Sequence, residues 1–228
     1  MQNSLKRVDA HLSSLGYCTR SEAKRFLTTN NVSVYNERIF DVTKKVHHSE
    51  IRVNGELLDA ERLVILMNKP HGVVCSHSDS GVLIYSLLPP RWQRRNPKVS
   101  TIGRLDIDTT GAILLSDDGA LNHKLTSPKS EVTKIYEVTL AQALRGDEAE
   151  IFASGELLLN GEKKPLLPAK MEVIGPIHVR VEICEGRYHQ VKRMFASVGN
   201  RVTALHRASF GDFSVEDLKP SEFREISL

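Results

Sequence analysis

The chain has 228 residues, 40% of them apolar, and a formal net charge of only +3, so it is long enough for one large and one small domain. No apolar run approaches the roughly 20 residues of a membrane span, and no secretory signal precedes the first predicted helix. The three cysteines lie far apart without a Cys-x-x-Cys pair, which predicts free thiols in a cytoplasmic protein with neither a disulfide framework nor a zinc site.

The N-terminal part of the sequence predicts two helices followed by short strands. Apolar residues at helical spacing predict a first helix that ends at Gly16. A capping-box pattern at residues 19–22 predicts a second helix that begins at Arg20. Alternating apolar and polar residues then predict strands at 32–34 and 51–53. Together these elements predict a compact αα-β unit.

Basic residues in the first half of the chain are candidates for contact with a polyanion. Arg20 and Lys24 would be neighbours one turn apart on the second helix, where they could straddle a phosphate backbone, and Arg7 precedes the first helix. Residues 89–98 are predicted to form a mobile loop, basic enough to face RNA. The alternative is that these clusters are merely solvated faces, but their position beside the other motifs favours a nucleic acid.

A domain boundary is predicted near residue 60, which divides the chain into domains at 1–60 and 61–228. Directly after it, the apolar run 63–67 predicts a buried strand. The other predicted elements of this domain are strands at 73–76, 113–116, 134–140, 179–184 and 202–206 and helices at 120–126, 147–153 and 188–198. Because the strands outnumber the helices and do not strictly alternate with them, we expect an α+β domain on a mixed or antiparallel sheet.

The most informative segment is residues 103–111, which read Gly-Arg-Leu-Asp-Ile-Asp-Thr-Thr-Gly. If its first half is extended, Arg104 and Asp106 share one face and Leu105 points into the core. Its last three residues are typical of a turn. Taken alone, Asp106 and Asp108 are most simply ordinary turn acids.

The helix predicted at 188–198 is both amphipathic and basic. Its apolar stripe leaves His189, Lys192 and Arg193 on the opposite side. Such a helix is usually an ordinary surface helix. Here a turn precedes it, which could aim Arg187 and the first helical turn into a cleft.

Four segments, in this order, resemble the RNA pseudouridine synthases that modify ribosomal RNA and carry an S4-type domain in front. They are Asn-Lys-Pro-His-Gly at 68–72, the segment 103–111, Lys-Ile-Tyr at 134–136 and Glu-Gly-Arg-Tyr-His-Gln-Val-Lys-Arg-Met at 185–194. The N-terminal unit resembles the S4 RNA-binding domain over about residues 5–58. The basic helix looks most like that of the small-subunit branch. The resemblance implies a monomeric enzyme that isomerises a uridine of ribosomal RNA, most simply 16S rRNA, without a cofactor or a metal.

The resemblance also implies a catalytic carboxylate. Asp106 would either attack C1′ of the ribose or remove the 2′ proton, and the sequence does not choose between these routes. A carboxylate in a partly dry pocket needs a cation to stay ionised. By resemblance that cation is Lys192, with Arg187 and Arg193 as alternatives.

Three further residues are implied to hold the substrate. Arg104 would fill the space that the extruded base leaves, or hold the adjacent phosphate. Tyr136 would stack on the uracil and use its hydroxyl in the later removal of the C5 proton. Leu205 would pack against the base. The plain alternatives are a cross-strand aromatic for Tyr136 and an ordinary core position for Leu205.

Three other functions remain open from the sequence. One is a metal-dependent transferase, with Mg²⁺ held by Asp106 and Asp108 or by the pair at 117–118, although no phosphate-binding glycine loop accompanies them. Another is a non-catalytic RNA-binding or ribosome-assembly factor. The third is a synthase of large-subunit (23S) rRNA.

Overall fold

The computed structural model describes residues 5–127 and 130–227, so both outer ends of the predicted domains, residues 1–4 and residue 228, lie outside the described residues. The chain divides into two compact units. One unit contains the described residues up to Val64 with Tyr85–Ser100 and Ser116–Asp118; the other contains the remainder. Because two later segments group with the N-terminal residues, the simple division near residue 60 stays a prediction.

The first unit consists of short helices and small antiparallel sheets. Its helices and strands are β1 (Lys6–Arg7), α1 (Val8–Ser14), α2 (Ala23–Thr29), β2 (Val32–Val34), β3 (Glu37–Arg38), β4 (Lys45–Val46), β5 (Ile51–Val53), β6 (Glu56–Leu57) and α3 (Pro90–Gln93). Four strands pair in the order β3-β2-β5-β6, and β1 pairs with β4. Val8, Leu12 and Leu27 are fully buried between helices and strands, so the predicted apolar faces do form the core of this unit.

The second helix begins three residues later than predicted. The capping pair does form, because the backbone N–H of Thr19 donates to Oε2 of Glu22 at 2.9 Å and Oγ1 of Thr19 accepts from the N–H of Glu22 at 3.3 Å. It closes a separate turn, however, and the first bond of helical spacing runs from Phe26 N to Glu22 O. Arg20 therefore lies in that turn and not on the helix beside Lys24.

The segment 89–98, predicted as a mobile loop, contains the helix α3 and is held by ion pairs, whereas its contact with RNA stays a prediction. Arg91 donates to the Asp59 carboxylate at 2.7 and 2.6 Å. The Arg95 side chain is fully buried and donates from Nε to Oδ2 of Asp117 at 2.8 Å. Carboxylates that are distant in sequence neutralise these cations and hold the segment inside the unit, which a count of local charge does not reveal.

The second unit is built on one large sheet. Its helices and strands are β7 (Val64–Lys69), β8 (Val73–Val74), β9 (Val82–Leu83), β10 (Ser100–Ile102), β11 (Thr109–Ser116), α4 (Gly119–Thr126), β12 (Lys134–Leu140), α5 (Glu148–Ala153), β13 (Lys170–Gly175), β14 (His178–Ile183), α6 (Gln190–Ser197), β15 (Val202–Phe210), β16 (Phe213–Ser214) and β17 (Phe223–Glu225). Strand β12 has the bounds that the sequence predicts. Among the described residues, no helix is both long and apolar enough to cross a bilayer.

The sheet is mixed, as predicted, which confirms the α+β class of this unit. Seven strands run in the order β13-β14-β12-β15-β11-β7-β17, with β10 paired to β11 and β16 to β15. Strands β11 and β15 are parallel, whereas β12 is antiparallel to both β14 and β15. This order sets β12, β15 and β11 side by side at the centre of the sheet, and the candidate site lies over them.

Candidate active site

Asp106 lies in a short loop between two neighbouring strands. Strand β10 ends at Ile102, and Gly103 then turns the chain with a left-handed φ of 70°. The segment is therefore not extended up to Asp106, and the predicted face shared with Arg104 does not arise from strand geometry. Leu105 is buried, as predicted, with 8% of its surface exposed.

The last three residues of the motif form a strand rather than the predicted turn. Thr109, Thr110 and Gly111 begin β11 and pair in parallel with residues 205–207 of β15. Gly111 has a φ of 105°, and a Cβ atom there would lie 2.2 Å from the carbonyl oxygen of Arg207. Glycine at this position thus permits the close approach of β11 to β15, which the sequence alone presents as a turn signal.

Both carboxylate oxygens of Asp106 have a partner. Nζ of Lys192 donates to Oδ2 at 2.8 Å, and Nε2 of His189 lies 3.1 Å from Oδ1. The same ammonium group donates to Oδ1 of Asp108 at 2.6 Å. Lys192, which the resemblance pairs with Asp106, therefore bridges two carboxylates. The resemblance assigned no role to Asp108 or to His189.

The electrostatics of the Lys192–Asp108 pair favour its charged form. Burial lowers the pKa of Lys192, but its hydrogen bonds to Asp106 and Asp108 outweigh burial and leave that pKa above its usual value. The hydrogen bond from Lys192 holds the pKa of Asp108 below its usual value. Both members of the Lys192–Asp108 pair are therefore charged at every pH between the usual pKa of aspartate and the usual pKa of lysine.

Helix α6 carries Lys192 to this position. Its buried residues Val191, Met194 and Phe195 anchor it, as the predicted apolar stripe requires. The helix begins at Gln190 rather than at residue 188, because His189 adopts a left-handed φ of 47°. That conformation is uncommon for a residue other than glycine, and it aims the imidazole at Asp106.

Arg187 and Arg193 do not lie against Asp106. Nη1 of Arg193 donates to Oε1 of Glu162 at 3.0 Å, and Nη1 of Arg187 lies 3.4 Å from Oε2 of the same carboxylate. Nε of Arg187 also donates to Glu185 at 3.0 Å. Both guanidinium groups therefore tie α6 and the turn before it to the segment around Glu162, and the alternative of either one as the cation beside Asp106 is wrong.

Lys69 binds the backbone of the loop that carries Asp106, a role that the sequence analysis missed. Its side chain is fully buried at the end of β7, and Nζ donates to the carbonyl oxygens of Thr109 at 2.8 Å and Pro70 at 3.1 Å. Burial lowers the pKa of this lysine. The signal was a lysine that directly extends an apolar strand, and the backbone carbonyls of the adjacent Pro70 and of Thr109, at the end of the loop, satisfy it.

A cleft of about 1000 Å³ opens beside Asp106. Tyr136 and Leu205 lie deep in it, with 8% and 7% of their surfaces exposed, whereas Arg104 is exposed at its edge. Arg187 also lines this cleft. Tyr136 and Leu205 line the same cleft because their strands, β12 and β15, are adjacent and antiparallel.

The chain matches the sequence profile described as RNA pseudouridylate synthase over residues 63–197, which is more than half of its length. The chain belongs to the RNA pseudouridylate synthase family. It is 41% identical to the ribosomal small subunit pseudouridine synthase A of Yersinia pestis, over 97% of this chain and 94% of that protein. Its identity to the protein of the same name in Escherichia coli strain K12 is 40%, over 97% of this chain and 96% of that protein.

A solved structure agrees with this family assignment. A crystal structure of a pseudouridylate synthase is 38% identical in sequence and superposes with a TM-score of 0.67, covering 97% of this chain and 96% of that one. The enzyme is thus an RNA pseudouridine synthase, and the fold expected from the resemblance is confirmed.

The geometry of this pseudouridine synthase argues against the Mg²⁺ alternative. The ammonium group of Lys192 lies between Asp106 and Asp108, where a divalent cation would be repelled. Asp117, the other acidic candidate, accepts from Arg95 and from the backbone N–H of Leu63 at 2.8 Å. Oδ2 of Asp118 lies 3.5 Å from Nη1 of Arg62, so cations of the protein already neutralise both carboxylate pairs.

The basic candidates of the first unit differ in how far they are engaged. Arg7 donates to Asp9 at 2.7 Å, and about half of its side chain, 48%, is exposed. Arg20 and Lys24 are exposed, and within the part of the chain that the structure describes neither forms an ion pair. These two cations are therefore open to solvent on the surface of the first unit.

Proposed function

We propose that this enzyme converts a uridine of small-subunit (16S) ribosomal RNA to pseudouridine, with Asp106 as the catalytic carboxylate. The observation that carries the proposal is the Asp106 carboxylate, bound by Lys192 at 2.8 Å beside a cleft of about 1000 Å³. The names of the relatives, which cover nearly all of the chain, support the small subunit as the source of the RNA.

The chemistry needs an ionised carboxylate close to the ribose. The N-glycosidic bond between N1 and C1′ breaks, the uracil rotates, and a bond from C1′ to C5 forms. The C5 proton leaves and N1 takes up a proton, so that nothing is added or lost overall. Whether Asp106 attacks C1′ or removes the 2′ proton, one of its oxygens must be free. Lys192 neutralises Oδ2, and the imidazole of His189 at Oδ1 is the partner that the substrate displaces.

The cleft supports a base that has left the RNA stack. Tyr136 and Leu205 offer an aromatic ring and an apolar side chain at the depth where an extruded uracil would lie. The hydroxyl of Tyr136 is the group that we assign to the removal of the C5 proton. Arg104, exposed at the edge, is suited to the vacated position in the stack or to the adjacent phosphate.

The first unit supplies further RNA contacts in this proposal. Arg20 and Lys24 are exposed and bind phosphates, while Arg7 contributes less because Asp9 neutralises it. Arg187 and Arg193 position α6 for the substrate. We propose that the enzyme acts as a monomer in the cytoplasm, where ribosomal subunits are made, and that an S4-like domain at residues 1–60 precedes a catalytic domain at 61–228.

The substrate can be tested with RNA that carries tritium at C5 of uridine, since the reaction releases that tritium. Transcripts of small-subunit and large-subunit rRNA are compared, together with a partly assembled small subunit. Release from the small-subunit RNA, free or in the assembly intermediate, is the expected result. Release from the large-subunit transcript alone would overturn the assigned substrate.

A further inference from the structure

Tyr188 is an exposed aromatic residue at the entrance of the cleft. It keeps 69% of its surface exposed, although it lies in the wall of the same cleft as Asp106. Its ring stacks on the imidazole of His189, with centroids 3.8 Å apart and planes at 20°. What distinguishes Tyr188 from the other exposed aromatic residues Tyr35 and Phe40 is its place in the cleft wall and its stacking on a histidine that contacts Asp106.

The stack is fixed in place from two sides. Nε2 of His189 lies 3.1 Å from Oδ1 of Asp106, and the carbonyl oxygen of Tyr188 accepts from Nη1 of Arg193 at 3.1 Å. Between them, His189 has the left-handed φ of 47°. Such a backbone conformation costs free energy and persists where the surrounding contacts determine it, which is common at binding sites.

We infer that Tyr188 is a stacking platform for the base of a nucleotide adjacent to the target uridine. Every nucleobase has a π-face that can stack on an aromatic side chain. The target uracil itself belongs deeper, against the buried Tyr136 and Leu205, so the rim position of Tyr188 fits its neighbour in the RNA. This inference rests on the proposed function, because it assigns the ligand of the same cleft.

The stack also defines the class of RNA that is bound. A base that lies on Tyr188 must leave its own stack, which is easy in a loop or an unpaired strand and costly in a duplex. The pair Tyr188–His189 therefore selects a target uridine whose neighbour is unpaired.

RNA binding by variants that also carry Asp106→Asn tests the platform without requiring catalysis. The probe is a small-subunit rRNA transcript, and the variants are Tyr188→Leu and Tyr188→Phe, with Val173→Ala as a control at a similarly exposed position, 57%, outside the cleft. Tyr188→Leu should raise Kd by about 5- to 150-fold, the typical loss for one base–aromatic stack. Tyr188→Phe and Val173→Ala should stay within about twofold.

Two readouts separate stacking from other roles. Because no charge changes, the ratio of the Kd values of Tyr188→Leu and its parent should be the same at low and high salt. On the transcript annealed to its complement, that ratio should fall to one. An unchanged Kd for Tyr188→Leu, an equal loss for Tyr188→Phe, or a ratio that persists on the duplex would overturn the inference. If the wild type releases no tritium but the variants show these Kd ratios, the assigned reaction is refuted and the stacking role of Tyr188 is supported.

Discussion

Lys192→Met removes the ammonium group between the two carboxylates and keeps a side chain of similar length. In the wild type, that group donates to Asp106 at 2.8 Å and to Asp108 at 2.6 Å. The methionine leaves Asp106 without its cation and beside a second negative charge. The carboxylate of Asp106 then loses the charged hydrogen bond that holds it in place, and the negative charge of Asp108 repels it.

The expected loss of kcat follows from the bond between Lys192 and Asp106, which is the less exposed of the two bonds. The Asp108 side chain is 55% exposed, so solvent screens its bond to Lys192 and its contribution is small. The bond to Asp106, whose side chain is 28% exposed, contributes about 1.5–3 kcal/mol as a charged hydrogen bond. Since about 1.36 kcal/mol is tenfold in rate, kcat should fall by roughly 10- to 150-fold.

Tritium release from small-subunit rRNA by Lys192→Met and the wild type tests this reasoning. Lys192→Arg keeps the charge and should retain most of kcat. Lys170→Met, at an exposed ion pair with Glu182, is the matched control and should have no effect. A Lys192→Met variant with wild-type kcat would refute the role of the cation.

Three further variants probe the base, the RNA surface and the stability of the first unit. Tyr136→Phe should bind RNA normally but lower kcat, because stacking remains and the hydroxyl is lost; full activity would restrict Tyr136 to packing. Gln at both Arg20 and Lys24 should weaken RNA binding and reduce the salt slope by about 0.7 per lost contact, and an unchanged slope would contradict their contact with phosphate. Arg95→Met leaves a buried carboxylate unpaired and should lower the free energy of unfolding by about 3–5 kcal/mol in urea titrations, whereas the exposed Arg180→Met should cost under about 1 kcal/mol; equal effects would contradict the buried pair.

Sequence patterns predicted the elements in which buried apolar residues recur at a regular spacing. Strand β12 has the predicted bounds, since its residues alternate between the two faces of the sheet. Strand β13 was missed, and most of its residues are exposed, so it contributes little to the core. The start of α6 was placed too early, because the left-handed backbone of His189 has no signal in the neighbouring residues.

The site was predictable only where the resemblance joined distant segments. Lys192 and Asp106 are 86 residues apart, so no periodicity relates them, and the resemblance alone suggested their contact. Asp108 was visible as a second acid two residues on, yet its bridge to Lys192 requires the folded loop. The prediction of a mobile loop at 89–98 failed for the same reason, because Arg95 pairs with a carboxylate 22 residues away.

The most direct test of the central claim is tritium release by the wild type and Asp106→Asn, with the RNA affinity of both proteins measured in parallel. The wild type should release tritium from small-subunit rRNA. Asp106→Asn should release none while its Kd stays within a few-fold, because the variant loses the carboxylate and few positioning contacts. Conversion by Asp106→Asn at a rate near that of the wild type would contradict the assignment of Asp106 as the catalytic residue.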